Sequence, residues 1–198
     1  MYVEWRRMES AGLARVQESV LPLFQHTHWF RFYQSQVIPG LLQTQDYTEA
    51  ILNTVVALRD APDDIEEAVA ARMSRQRVLH AGGRRFAFLI EEWVLRSVIG
   101  SPSTMVNQLG HLIGMTAAPC LSLGVIPMGV VRGNAWPCES FSVYDEKQAA
   151  CELVSASLTV TQPSEIAEYA KTFTELASIA AYGAGARKLI TSAIDSLG

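Results

Sequence analysis

The sequence predicts an α+β fold: one domain with a mixed or antiparallel sheet flanked by helices, preceded by an N-terminal linker helix. Three observations carry this. Segments with strand character and segments with helix character follow one another at uneven spacing, not as a regular βαβ series. The helical segments are amphipathic, so each has one face to bury. Hydrophobic residues make up 49% and charged residues 18% of the 198 positions, enough apolar side chain for one sizeable core. The expected division is a linker helix over 1–24 and a folded domain over 25–198.

Residues 2–24 place Trp5, Met8, Leu13, Val16, Val20 and Leu23 near one face of a helix, with Pro22 at its end. "WFRFYQSQV" (29–37) is aromatic and roughly alternating, which predicts a strand. Pro39-Gly40 then predicts a type II corner, because proline presets φ and glycine permits the positive φ that follows. Leu41 and Leu42 fall in the connection and are expected to plug it. Thr44 is placed to cap a helix by accepting from the N–H of Asp46 or Tyr47, and Tyr47, Ala50, Ile51, Val55 and Leu58 form that helix's stripe.

"APDDIEEAVAARMSRQRVLHAGG" has acids at its start, arginines at its end and Gly82-Gly83 to stop it, a strong helix signature. A strand over "RRFAFLIEE", a short helix ending at Gly100 and a helix over 103–117 follow. "CLSLGVIP", "SFSVYD" and "ACELVSASL" read as three strands, and helices over 163–182 and 185–197 close the chain.

The formal net charge of −4 argues against a duplex-DNA surface on this chain, and arginine outnumbers lysine thirteen to three. Cys120, Cys138 and Cys151 form no CxxC and are too few for a secreted disulfide scaffold, which points to a reduced, cytoplasmic setting. "MYVEWRRMES" carries charges where a signal peptide needs an apolar stretch. Residues 97–131 lack Asp, Glu, Lys and Arg, but Pro102, Pro119 and Pro127, with Gly110, Gly114, Gly124 and Gly129, cut the run into pieces too short to cross a bilayer. No membrane association is expected.

Few residues suggest chemistry. His26 and His28 would offer two metal ligands or a plain surface pair, with no third ligand near in sequence; no metal and no cofactor is expected. Glu91-Glu92 would serve as an acid–base pair or as caps for the helix that follows. "RMSRQRVLHAGGRR" (72–85) holds five arginines and no acid, suited either to an anionic ligand or to a solvated helix end. Trp29, Tyr33, Trp93 and Trp136 would line an apolar pocket or simply fill the core. No GxSxG, HExxH, Walker or GxGxxG motif is present, so an enzyme is not expected.

"VIPGLLQTQDYTEAIL", "RMSRQRVL", "FLIEEWVLR" and "SLGVIPMG" occur in an order that resembles the C-terminal domain of actinobacterial cro-repressor-like (Xre-type) helix-turn-helix regulators, also described as antitoxin-like. The resemblance spans about 2–195 and falls on Pro39, Gly40, Leu41, Leu42, Gln43, Thr44, Tyr47, Arg72, Gln76, Glu92, Leu95, Gly100, Gln108, Leu109 and Pro127. Departures are Glu91-Glu92 and "AWPCES", where a glycine-rich phrase is common, and no segment before Pro22 has room for a tri-helical DNA reader.

The resemblance implies a regulatory domain that binds a small-molecule effector or a partner protein and controls a separate helix-turn-helix domain, through which alone DNA would be met. The alternative is an antitoxin-like module that sequesters a small neighbouring protein. Contacts are expected from Trp29, Tyr33, Gln43, Tyr47, Arg72, Gln76, Glu92 and Trp136, with Pro39, Gly40, Leu41, Leu42 and Thr44 as a structural motif. A homodimer or a partner complex through residues 2–24 is the further expectation, since an amphipathic helix of that length is marginal alone in water; the other cover open to it is the domain's own sheet.

Overall fold

A computed structural model of the chain describes residues 1–59 and 61–198. A seven-stranded sheet runs in the order β1-β7-β6-β5-β2-β3-β4. Here β1 is Tyr2–Glu4, β2 Trp29–Gln34, β3 Arg85–Glu91, β4 Leu121–Ile126, β5 Phe141–Tyr144, β6 Gln148–Glu152 and β7 Ala156–Val160. β2, β3 and β4 are parallel to one another, whereas β2–β5, β5–β6, β6–β7 and β7–β1 are antiparallel. The sheet is therefore mixed, with a parallel half and a meander half joined at β2–β5.

Parallel neighbours need crossovers, and helices supply them. Between β2 and β3 lie a 3-10 turn Gly40–Leu42, α4 (Gln45–Arg59), α5 (Ile65–Arg75) and a 3-10 segment Gln76–His80; between β3 and β4 lie α6 (Glu92–Arg96) and α7 (Pro102–Met115). α8 (Pro163–Ser178) and α9 (Ala184–Asp195) follow β7. On one sheet face Phe30, Phe32, Phe86, Phe88, Ile90, Leu121, Leu123 and Val125 share a core with Leu109 and Leu112 of α7 and Ile190 of α9. On the other, Tyr33, Leu89, Phe141, Val143, Ala149 and Cys151 pack against Ile166, Phe173 and Leu176 of α8. Stacked pairs Phe30–Phe86 (4.7 Å) and Phe32–Phe88 (5.0 Å) follow directly from the β2–β3 register.

Several expectations need correction. Residues 2–24 are not one helix but β1, α1 (Trp5–Glu9), α2 (Leu13–Ser19) and α3 (Leu21–His26). The break comes at Gly12, whose φ is +101°, and the carboxylate of Asp64 accepts from the N–H groups of Leu13 (2.8 Å) and Ala14 (2.9 Å) to begin α2 afresh. A Cβ at position 12 would meet Asp64 Oδ2 at 2.5 Å, so the close approach requires glycine. Trp5, Leu13 and Phe24 are buried within the chain itself.

Gly40 does not take a positive φ: Pro39-Gly40 opens a 3-10 turn, not a type II corner. The strand predicted to 37 stops at Gln34, the helix ending in arginines relaxes to 3-10 after Arg75, and that predicted to 182 stops at Ser178. "ACELVSASL" spans two strands, β6 and β7, with the turn 153–155 between them. Leu41 and Leu42 are buried as the plug, and Thr44 Oγ1 accepts from the Tyr47 N–H at 3.4 Å, a long cap.

Candidate functional site

The carboxyl ends of parallel strands are where a side chain can project beyond the sheet without another strand covering it, and open α/β sheets bind ligands there. In this chain β2, β3 and β4 all end on one edge, and the residues following them surround a cavity of about 350 Å³. Tyr33 and Ser35 come from the end of β2, Glu91 and Trp93 from the end of β3, and Pro127, Met128 and Gly129 from the exit of β4. The segment 127–140 then crosses back toward β5 and adds Arg132, Pro137 and Cys138.

Two adjacent carboxylates hold that segment in place. The buried Glu91 accepts from the Tyr33 hydroxyl through Oε1 (2.9 Å) and from Arg132 Nη2 through Oε2 (2.5 Å). The buried Glu92 accepts from Arg96 Nε (3.1 Å) and Nη2 (2.7 Å) through Oε1, and from the Met128 N–H (2.9 Å) through Oε2. At the far end Ser140 Oγ accepts from the Ser35 N–H (2.9 Å) and Ser35 Oγ donates to the Cys138 carbonyl (3.3 Å). Of the two readings of Glu91-Glu92, the helix-start one holds in part: Glu91 is the residue at the N-cap and Glu92 lies in the first turn of α6. No side-chain cap bond is made by Glu91 at the start of α6, and both carboxylates are spent on tying down 127–140.

The electrostatics suit recognition more than proton transfer. Tyr33 is pushed well above the usual phenol range, first by burial and then by its hydrogen bond to, and the charge of, Glu91. Arg132 is raised by the hydrogen bond to Glu91. Burial, followed by the charge of Glu139, pushes the Cys138 thiol up to about 11, and burial likewise raises Cys151. Of the cavity's lining, Trp93 is 43% and Met128 55% exposed, and on the same 127–140 segment Trp136 at 76% and Val131 at 88% also face solvent.

Of the residues singled out in the sequence, Tyr33 and Trp93 line this cavity, Glu92 anchors its wall through Met128, and Trp136 lies exposed on the 127–140 segment. Trp29 lies at the opposite end of β2, sandwiched between the guanidiniums of Arg31 (4.0 Å) and Arg85 (5.1 Å). Gln43, Tyr47, Arg72 and Gln76 form a separate interior network. Gln43 Nε2 donates to the Ile38 carbonyl (2.7 Å) and its Oε1 accepts from Thr48 (3.0 Å) and Arg72 Nη1 (3.0 Å). Gln76 Nε2 donates to the Gln43 carbonyl (2.7 Å), Gln108 bridges the Leu42 carbonyl and the Thr44 N–H at 2.7 Å each, and the Tyr47 hydroxyl accepts from the Ile38 N–H (3.3 Å).

The Pro39–Tyr47 phrase is thus the buried hub where the 3-10 turn meets α4, α5 and α7. Arg132, Met128 and Ser35 were not foreseen. The signal for the first two was a long aperiodic segment between strands, studded with Gly, Pro and Trp, which in a compact domain is commonly a binding loop. His26 Nδ1 is hydrogen-bonded to the Pro22 carbonyl (2.7 Å), and among the described residues no group of three His, Cys, Asp or Glu is arranged for a metal. Among them, too, no helix is long and apolar enough to cross a membrane.

No curated protein matches the chain. A solved structure of TrmBL2, an archaeal chromatin protein described as showing a novel mode of DNA binding, is similar at 10% identity with a TM-score of 0.42. The match covers 92% of this chain and 52% of that one, so the chain spans about half its length. That likeness does not bear on what this chain binds. The family is shown by a match over residues 25–192, which contain the whole strand-end site: the chain belongs to the family described as a domain of unknown function, DUF5753.

Proposed function

We propose that this chain is the effector-binding domain of a cytoplasmic transcriptional regulator of the Xre type, acting by binding and not by chemistry. The observation that carries the reading is the strand-end cavity: a Tyr33–Glu91–Arg132 relay in its lining, exposed Trp93 beside it, and one tethered segment, 127–140, which carries the exposed Trp136, forming its wall. Such a site takes a small molecule with a flat apolar body and one polar group. A ligand that competes for Arg132 or Glu91 loosens or reseats 127–140, and that movement is what an attached helix-turn-helix domain would sense. Nucleophilic chemistry is disfavoured, because a thiol near 11 and a phenol held to its proton by Glu91 both stay protonated at neutral pH.

The antitoxin-like reading draws support from Val131 and Trp136, which are more exposed than a small-ligand pocket requires and would suit a partner protein. Native mass spectrometry of the purified chain, followed by tryptophan-fluorescence titration with any retained ligand, tests the two. Under the effector reading Arg132→Ala abolishes the quench and Val131→Ser leaves it intact. Loss of a co-purifying small protein in Val131→Ser, with Arg132→Ala unaffected, would replace the effector reading by the second.

A further inference from the structure

Among the described residues the guanidiniums of Arg31, Arg59, Arg72 and Arg75 are largely covered by the chain, and two of them have no carboxylate in salt-bridge contact. Arg59 pairs with Glu9 at 2.6 Å, and Arg31 donates to the Asp145 carbonyl at 2.5 Å beside the Asp145 and Glu146 charges. Arg72 and Arg75, one turn apart on α5, have no carboxylate within 4.0 Å among the described residues. Arg72 donates to Gln17 Oε1 (2.9 Å) and Gln43 Oε1 (3.0 Å), both neutral. Arg75 has one long contact, Nη1 to the Gln17 carbonyl at 3.4 Å, and its Nε is sealed from solvent without a hydrogen-bond partner.

Two adjacent, largely covered cations with no carboxylate in salt-bridge contact are a costly arrangement for a merely structural pair. Burial lowers Arg72, and burial together with the Arg72 charge lowers Arg75 to about 10.

The surface in front of them is equally unusual. The helix-covered face of the sheet carries Phe88 and Phe32 in one cross-strand row, and that row continues as Ser142, Ala150 and Thr159 on β5, β6 and β7. All three are half-buried, so the aromatic floor gives way to small and hydroxylated side chains. The guanidinium of Arg75 stands 5.8 Å from the ring of Phe24, which packs on Tyr144 of β5 at 5.9 Å, and so lies at the border between the two halves. Glu152, exposed on β6, is the one carboxylate whose field reaches both arginines.

We propose that Arg72 and Arg75, over the Ser142–Ala150–Thr159 row, bind the phosphate or carboxylate group of a small oxyanion ligand, at a site separate from the strand-end cavity. The two guanidiniums supply the charge-assisted donors, and Ser142 and Thr159 supply hydroxyls. Glu152 weakens this site by its like charge toward the ligand, which sets a clear sign for the test.

The full chain is titrated with inorganic phosphate, and separately with malonate, at constant ionic strength balanced with chloride, and followed by backbone amide NMR. Saturable shifts at Gln17, Arg75 and Ala150 with at least one probe are expected, with the fluorescence of Trp93 and Trp136 unchanged. Arg75→Gln weakens binding about tenfold. Glu152→Gln, an exposed change that leaves both arginines in place, strengthens it about threefold. Linear, non-saturating shifts with both probes, or equal affinity in Glu152→Gln, would overturn the proposal. Quenching of the strand-end tryptophans with no shift at Ala150 would also overturn it, while leaving the effector reading standing.

Discussion

Two regions of this molecule handle arginine in opposite ways. At the strand-end cavity Arg132 and Arg96 each meet a buried carboxylate, at 2.5 Å to Glu91 and 2.7 Å to Glu92, and the pairs hold a loop. On α5, Arg72 and Arg75 meet only amide oxygens and a backbone carbonyl. A salt bridge whose partners are both supplied by the chain is finished and gives the loop a fixed position. A cation whose partners are all neutral keeps its charge available. The first arrangement shapes a wall, and the second leaves a vacancy in the electrostatics of the interior.

Four substitutions break or sharpen that contrast. The hub between the two regions sets the scale: Leu42→Ala, at a fully buried plug, is expected to cost about 2–5 kcal/mol in denaturant unfolding. Glu91→Ala strands Arg132 and the Tyr33 hydroxyl and is expected to cost about 2–3 kcal/mol, less than the loss of a fully buried pair because Arg132 is partly exposed. A change below about 0.5 kcal/mol would show that the strand-end pair is not holding the loop.

Arg72→Met removes two good hydrogen bonds together with an uncompensated charge, and a loss of about 1–2 kcal/mol is expected from calorimetry. Arg75→Met removes almost no bonding, so its stability should stay within about 0.5 kcal/mol of the parent, or rise. A large loss at Arg75, comparable to Glu91→Ala, would mean the two regions do not differ after all.

How far the sequence foretold this depends on the range of the interactions involved. The Pro39–Thr44 phrase was legible because its strand exit, leucine plug and cap are local, although the turn type was not: Gly40 Cα lies where an added Cβ would only touch Arg75 Nη2 at 3.4 Å, and no positive φ is needed. The helix ending in arginines was legible as a helix, but the direction in which Arg72 and Arg75 point depends on Gln17 and Gln43, far away in the chain.

The break at Gly12 was hidden for the same reason, because the apolar stripe of 2–24 runs on across it and the carboxylate that restarts α2 comes from Asp64. Parallel pairing of β2, β3 and β4 leaves no mark in a two-residue alternation, which looks alike in either direction. The strand-end site drew on Tyr33, Glu92, Trp93 and Trp136, all noticed individually. Their convergence with Arg132 required the topology.

The three residues of β1 have a mechanical consequence. Tyr2, Val3 and Glu4 pair with Leu158, Ser157 and Ala156 at the edge of the sheet, and Trp5 Nε1 pins the next residue to the Leu153 carbonyl at 2.8 Å. Anything joined ahead of Met1 is therefore gripped by a short zipper, not swung from a rigid rod. A zipper of three residues yields to tension one hydrogen bond at a time, and edge strands this short open at a fraction of the global unfolding free energy. Torque and pull from a neighbouring domain would then be transmitted faithfully only up to the point where β1 peels. Beyond it the load falls on Trp5 and α1, and the row ending in Thr159 loses its flank.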